Sequence, residues 1–233
     1  MFFLFRHTSR ITTTALAALL LLALSALPTF ATDPMQERAG DRAVGVENAP
    51  IVMIEYHSLD CPYCAKFHAE TYPGLKRDYI DTGLVRFVYR DYPLSWAALE
   101  AAILTHCAPP ERYFAVFDIL LKTQSNWVKA ESTSKAVARI GETQGVTPTQ
   151  YQACLDERKW ERHIYHSQKY AREALGVTAT PTFFINGEKL EGNISFDKLA
   201  TGLDHMLDEI HRVNPDYTRL DRIIMRVSTG EAR

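Results

Sequence analysis

Between a run of strand-forming residues and a helical pattern the chain places Cys61-Pro62-Tyr63-Cys64, and this junction restricts the available folds more than any other feature. The preceding residues, Pro50-Ile51-Val52-Met53-Ile54-Glu55-Tyr56-His57, are apolar and β-branched over strand length, with one acid, Glu55, inside the run. Ser58-Leu59-Asp60 then turns the chain, and Ala65, Phe67, Ala69 and Leu75 continue in a helical context towards Gly83. Pro62 suits the first helical turn, where its missing N–H would have had no partner. Pro73 is expected to kink or interrupt that helix after Tyr72. Residues 84–90 alternate well enough to form a second strand, and strand-helix-strand implies that the two strands are parallel.

From residue 95 to about 175 the pattern changes to Ala- and Leu-rich segments, which predict amphipathic helices over 96–107, 111–122 and 134–142, punctuated by Pro109-Pro110, Gly145 and Pro148. After Gly176 the chain returns to β structure. Pro181 begins an apolar strand, and Asn186-Gly187 supplies a tight hairpin turn into residues 188–190. A last helix is predicted over 195–212, followed by a polar tail, 213–233. The class is therefore α/β, with an all-helical block inserted between the parallel strands and the hairpin.

Arg6, His7 and Arg10 precede an apolar stretch over about residues 15–27, which ends at Pro28, and Ala31 before Thr32-Asp33-Pro34 offers a cleavage point. That layout predicts a secretory signal peptide over 1–31, the apolar run being shorter than the roughly 20 residues of a membrane span. An uncleaved anchor is the alternative and would also leave the remainder outside the cytoplasm. The whole chain has 26 basic and 28 acidic side chains; removing residues 1–31 takes away Arg6 and Arg10 and leaves 24 against 28. Such a balance excludes nucleic acid as a partner, since phosphate binding needs a clustered positive footprint.

The four cysteines allow three pairings, and their spacing separates them into two kinds. Cys61 and Cys64 are too local to constrain much chain. Cys107 and Cys154 both fall in the helical block and predict a structural disulfide, whose loop of nearly fifty residues is worth roughly 4 kcal/mol in the chain-entropy model. A second exchanging pair is the alternative. A cysteine opening a helix lies among unpaired N–H groups at the positive end of the helix dipole, so its thiolate is favoured. Cys61 has that place and Cys64 lies one turn further in, close enough to resolve a mixed disulfide rapidly. The spacing would also serve half of a zinc site, but there is no second Cys or His pair, and His57 and His68 fall on a strand end and a helix face, where each reads as a surface or packing residue. No metal is expected. Asp60 opposes the ionisation of Cys61 by its charge, or caps the helix.

The strand, the Cys-Pro-Tyr-Cys helix start, the interrupting proline, the helical block and Thr180-Pro181 before a hairpin together resemble the DsbA family of thioredoxin-fold proteins. The resemblance covers residues 43–212, leaving a short linker, 32–42, and the tail outside it. It implies a thioredoxin-like fold with the helical subdomain inserted at about 95–175. Cys61 matches the nucleophile, Cys64 the resolving cysteine, and Pro62 and Tyr63 the dipeptide that tunes the potential. Thr180-Pro181 matches a loop whose proline is cis beside the sulfurs, and the main chain of Thr180 is expected to pair with an extended substrate; a proline that merely starts an edge strand is the alternative. Glu55 matches the buried acid beneath the disulfide, expected to relay the proton of Cys64, against the alternative of a solvent-facing residue on an edge strand.

The resemblance further implies oxidation of reduced, unfolded client proteins, a membrane partner for reoxidation and no cofactor. The shortness of the linker points to a monomer. A disulfide isomerase or reductase on the same scaffold, or a redox-linked chaperone module, are the competing functions.

Overall fold

The computed structural model describes residues 35–213. The predicted signal segment and the tail beyond Val213 lie outside the described residues. Five strands build one mixed sheet: β1 (Arg42–Val44), β2 (Ile51–His57), β3 (Val85–Asp91), β4 (Thr182–Ile185) and β5 (Glu188–Glu191), in the order β1-β3-β2-β4-β5. β2 is central; it pairs parallel with β3 and antiparallel with β4, while β1 and β5 close the edges.

Successive side chains along a strand point to opposite faces, and both faces of β2 are covered. Ile51 and Met53 pack with Phe67, Phe87, Phe117, Phe183 and Leu203, whereas Ile54 and Tyr56 pack with Val88, Ala171, Val177 and Phe184. This two-sided burial explains why residues 51–54 show no polar alternation. At the hairpin, Asn186 and Gly187 both have positive φ, as a two-residue turn of this hand requires. Asn186 also holds β2, its Oδ1 accepting from the Val52 N–H at 2.8 Å.

Helix α1 (Pro62–Glu70) breaks at Thr71 and resumes as α2 (Tyr72–Leu75), followed by a wide turn, Lys76–Ile80. Pro73 has no N–H to continue the ladder, and the Thr71 hydroxyl instead donates to the Ile194 carbonyl at 2.6 Å. Between β3 and β4 run α3 (Trp96–Cys107), a tight turn at Pro110–Arg112, α4 (Tyr113–Lys122), α5 (Gln124–Val128), α6 (Thr133–Thr143), α7 (Pro148–Glu157) and α8 (Lys159–Ala174); α9 (Phe196–Val213) follows the hairpin. Ser95 caps α3 by accepting from the Ala98 N–H, and Thr147 with Gln150 forms a capping box on α7. Cys107 and Cys154 are bonded to each other, with Cα atoms 6.1 Å apart, joining α3 to α7.

The structure departs from the sequence expectations at the start. Residues 32–42 were expected to form a linker, yet Arg42 already belongs to β1, and Glu37 and Asp41 form ion pairs with Arg86 and Arg90 of β3. A three-residue strand carries no readable alternation, and its partners lie more than forty residues away. Helix α5 was likewise not foreseen.

Candidate active site

Cys61 ends the turn after β2, its N–H donating to the Ser58 carbonyl at 3.1 Å, and its own carbonyl accepts from the Ala65 N–H as α1 begins. Pro62 occupies the first helical position. Cys61 and Cys64 are both free thiols and both buried, at 4% and 0% exposure, whereas Tyr63 between them is 61% exposed. The dipeptide is thus turned outward and the sulfurs inward. Gln124, opening α5, donates through Nε2 to the carbonyls of Leu59 at 2.7 Å and Cys61 at 3.0 Å.

The two thiols are driven apart in acidity. Cys61 is lowered from 9.0 to about 6, first by the hydrogen bond offered from the Cys64 thiol and further by the N–H groups of Cys64 and Tyr63, against the opposing effect of desolvation. As a thiol, Cys61 donates to the Thr180 carbonyl at 3.2 Å. That bond favours the protonated form, so it is no part of the lowering. Cys64 is pushed well above 9.0, foremost by burial, then by its bond to Cys61 and by the negative charge of Glu55.

Thr180-Pro181 is a cis peptide bond, and both residues are buried beside the cysteines ahead of β4. The Thr180 carbonyl is directed at Cys61 Sγ. Glu55 is fully buried on the central strand, not on an edge and not in solvent. Its Oε2 lies 2.7 Å from His68 Nε2, while Oε1 has no hydrogen-bond partner among the described residues. His68 is one helical turn beyond Cys64, so both fall on the inward side of α1. That spacing was the available signal for His68 as a partner of Glu55, which the sequence had offered only as a surface or packing residue.

Asp60 does not cap α1: the helix has no side-chain cap, and the Asp60 carboxylate accepts from the Ser58 hydroxyl. His57 is buried and lies 3.3 Å from Asp91, which also takes His106 Nε2 at 2.7 Å. Neither the Asp91 pairing nor the role of Gln124 is visible in one dimension, since their partners lie 15 or more residues away.

The thioredoxin family model matches residues 37–205. A Rickettsia bellii protein named as a protein-disulfide oxidoreductase is 33% identical over 170 residues, covering 72% of this chain and 65% of that relative, so the chain spans just under two thirds of its length. Disulfide bond formation protein D of Bacillus subtilis is 20% identical over 183 residues, 72% of this chain and 78% of that protein. Among solved structures, alpha-DsbA1 of Wolbachia pipientis superposes with a TM-score of 0.71 at 28% identity, covering 77% of this chain and 98% of that one. The matched family model, which spans most of the chain, shows that the chain belongs to the thioredoxin family, and the sheet order together with the likeness to alpha-DsbA1 shows its DsbA-type fold.

Proposed function

We propose that this protein oxidises dithiols in exported, unfolded client proteins through Cys61 and Cys64. The observation that carries this reading is the split acidity of the two thiols: one held near 6, the other well above 9.0. In the oxidised protein a client thiolate attacks Cys61 Sγ, the Cys61–Cys64 bond breaks, and Cys64 leaves as a thiolate that takes up a proton. A second client thiolate then attacks the client sulfur of the mixed disulfide. Cys61 departs as a stabilised thiolate, the client gains one disulfide, and two electrons remain on the protein. A low pKa makes Cys61 a good leaving group and stabilises the reduced form, which makes the protein an oxidant.

In this reading Glu55, bonded to His68 and close enough for its charge to act on the Cys64 thiol, accepts and returns the Cys64 proton. The turned-out Tyr63 and the Thr180 main chain border the sulfur that a client must reach. A membrane partner would remove the two electrons, and a monomer suffices for the chemistry described.

Refolding of a reduced, unfolded ribonuclease tests the reading. The native chain, pre-oxidised, is expected to yield one client disulfide per protein disulfide consumed, and Cys61→Ser to yield none. Faster rescue of scrambled than of reduced ribonuclease would replace oxidase with isomerase, and an alkylation profile for Cys61 like that of a free thiol would end the exchange reading altogether.

A further inference from the structure

We propose that Gln124 is a positioning residue for the nucleophile, through which the helical block sets the acidity of Cys61; this rests on the exchange reading above. Its Nε2 faces two carbonyls, those of Leu59 and Cys61. Two acceptors demand the NH₂ end of the amide, so the orientation is fixed by chemistry. The two carbonyls bracket Asp60, and that of Cys61 is also the one that accepts the first helical bond of α1, from Ala65. Gln124 therefore clasps the chain where the turn becomes the helix.

The turn has its own bonds, from the Cys61 N–H to the Ser58 carbonyl and from the Ser58 hydroxyl to Asp60, but the helix start has no side-chain cap, and Gln124 is the side chain that ties it to the helical block. The groups that hold the Cys61 thiolate, the Cys64 thiol and the N–H groups of Cys64 and Tyr63, act only if the Cys61 Cα–Cβ bond points over them. That direction is set by the backbone which Gln124 holds. The clasp itself is anchored. Thr123 bonds back to the Ile119 carbonyl at 2.7 Å, and the buried Trp127 donates to the Leu120 carbonyl at 2.7 Å, bracing the corner between α4 and α5. A neutral amide supplies this constraint without adding a charge to the thiolate's surroundings.

The test is thiolate titration of Cys61 by absorbance, together with the equilibrium against glutathione, in the native chain, Gln124→Met and Gln124→Glu. Met keeps the length and removes the donors; Glu, ionised, faces both carbonyls with acceptors only. Both variants are expected to raise the Cys61 pKa by about one unit and to weaken the preference for the reduced state about tenfold, one unit corresponding to a factor of ten. A variant that melts at lower temperature but titrates like the native chain shows a merely structural residue and overturns the proposal. An ordinary Cys61 titration in the native chain instead defeats the exchange reading, and this proposal with it, so the two failures are told apart by which sample shows them. Should neither variant fold, hydrogen exchange in the native chain decides. Slowed exchange of the Gln124 side-chain amide, relaxing when Cys61 ionises, supports the proposal; exchange at the rate of a free amide overturns it.

Discussion

Asp91 is tolerated in the interior because two imidazoles face it. His106 bonds one carboxylate oxygen and His57 Nε2 lies 3.3 Å from the other, and the charge and bond of His106 with the nearness of His57 hold Asp91 far below the ordinary carboxylate range despite burial. Burial opposes charge on His57 too, yet the close Asp91 carboxylate wins, so the His57 pKa is raised. A histidine whose folded pKa is raised contributes stability that is complete below its unfolded value and is lost as pH rises through the folded one. Asp91→Asn leaves the imidazoles without their counter-charge and is expected to destabilise the fold by about 3–5 kcal/mol in urea titrations at mildly acidic pH, with a smaller loss once His57 is neutral. Glu55 was legible as an acid in an apolar run, but its partner His68 was not assigned. If Glu55 relays the Cys64 proton as proposed, Glu55→Gln is expected to flatten the alkaline limb of the exchange-rate profile by stopped-flow; an unchanged profile would refute the relay.

Elements were most legible where local chemistry alone decides them. Residues 96–107, expected to be helical from their Ala- and Leu-rich pattern and the Pro109-Pro110 stop, match the bounds observed for α3, where the structure adds Ser95 as the cap. The break before α2 followed from Pro73 in the same way. Gly74 has a reason that only packing shows: a Cβ there would come within 2.7 Å of the Phe196 ring. Gly74→Ala is therefore expected to cost about 1–3 kcal/mol by overpacking, measured as a fall in the thermal midpoint. The Cys107–Cys154 bond ties α3 to α7 across 47 residues. Its removal in Cys107→Ala, Cys154→Ala should lower the unfolding free energy by about 2–4 kcal/mol, with unfolding rather than thiol reactivity as the first readout. A double variant as stable as the native chain would show that the bond has another use.

On the scale of the whole molecule, one sheet with both faces buried carries the cysteines at the end of its central strand, and the inserted helices reach back to that end through Gln124. Folding stability of the reduced protein should consequently depend on pH in a way that the oxidised protein does not share. Cys61, lowered to about 6, stabilises the reduced fold fully above its unfolded value near 9.0, and this contribution is lost as pH falls through about 6. Cys64, raised, acts oppositely: above about 9 the unfolded chain releases a proton that the folded chain retains, and stability falls again. Calorimetry across pH should show the reduced-minus-oxidised difference in melting temperature rising from about pH 5 to a maximum near pH 9.

The sequence by itself determined the strand, the proline-led helix start, the helical block and the hairpin turn, because each depends on backbone preference and periodicity within a few residues. Tertiary structure alone decided which groups meet. Glu55 with His68, Asp91 with two histidines, Gln124 with the Cys61 carbonyl and β1 with β3 are pairings of groups distant in sequence. Acidity at Cys61 and Cys64 follows from those encounters and from exclusion of water, and neither is a property of a residue until the chain has closed around it.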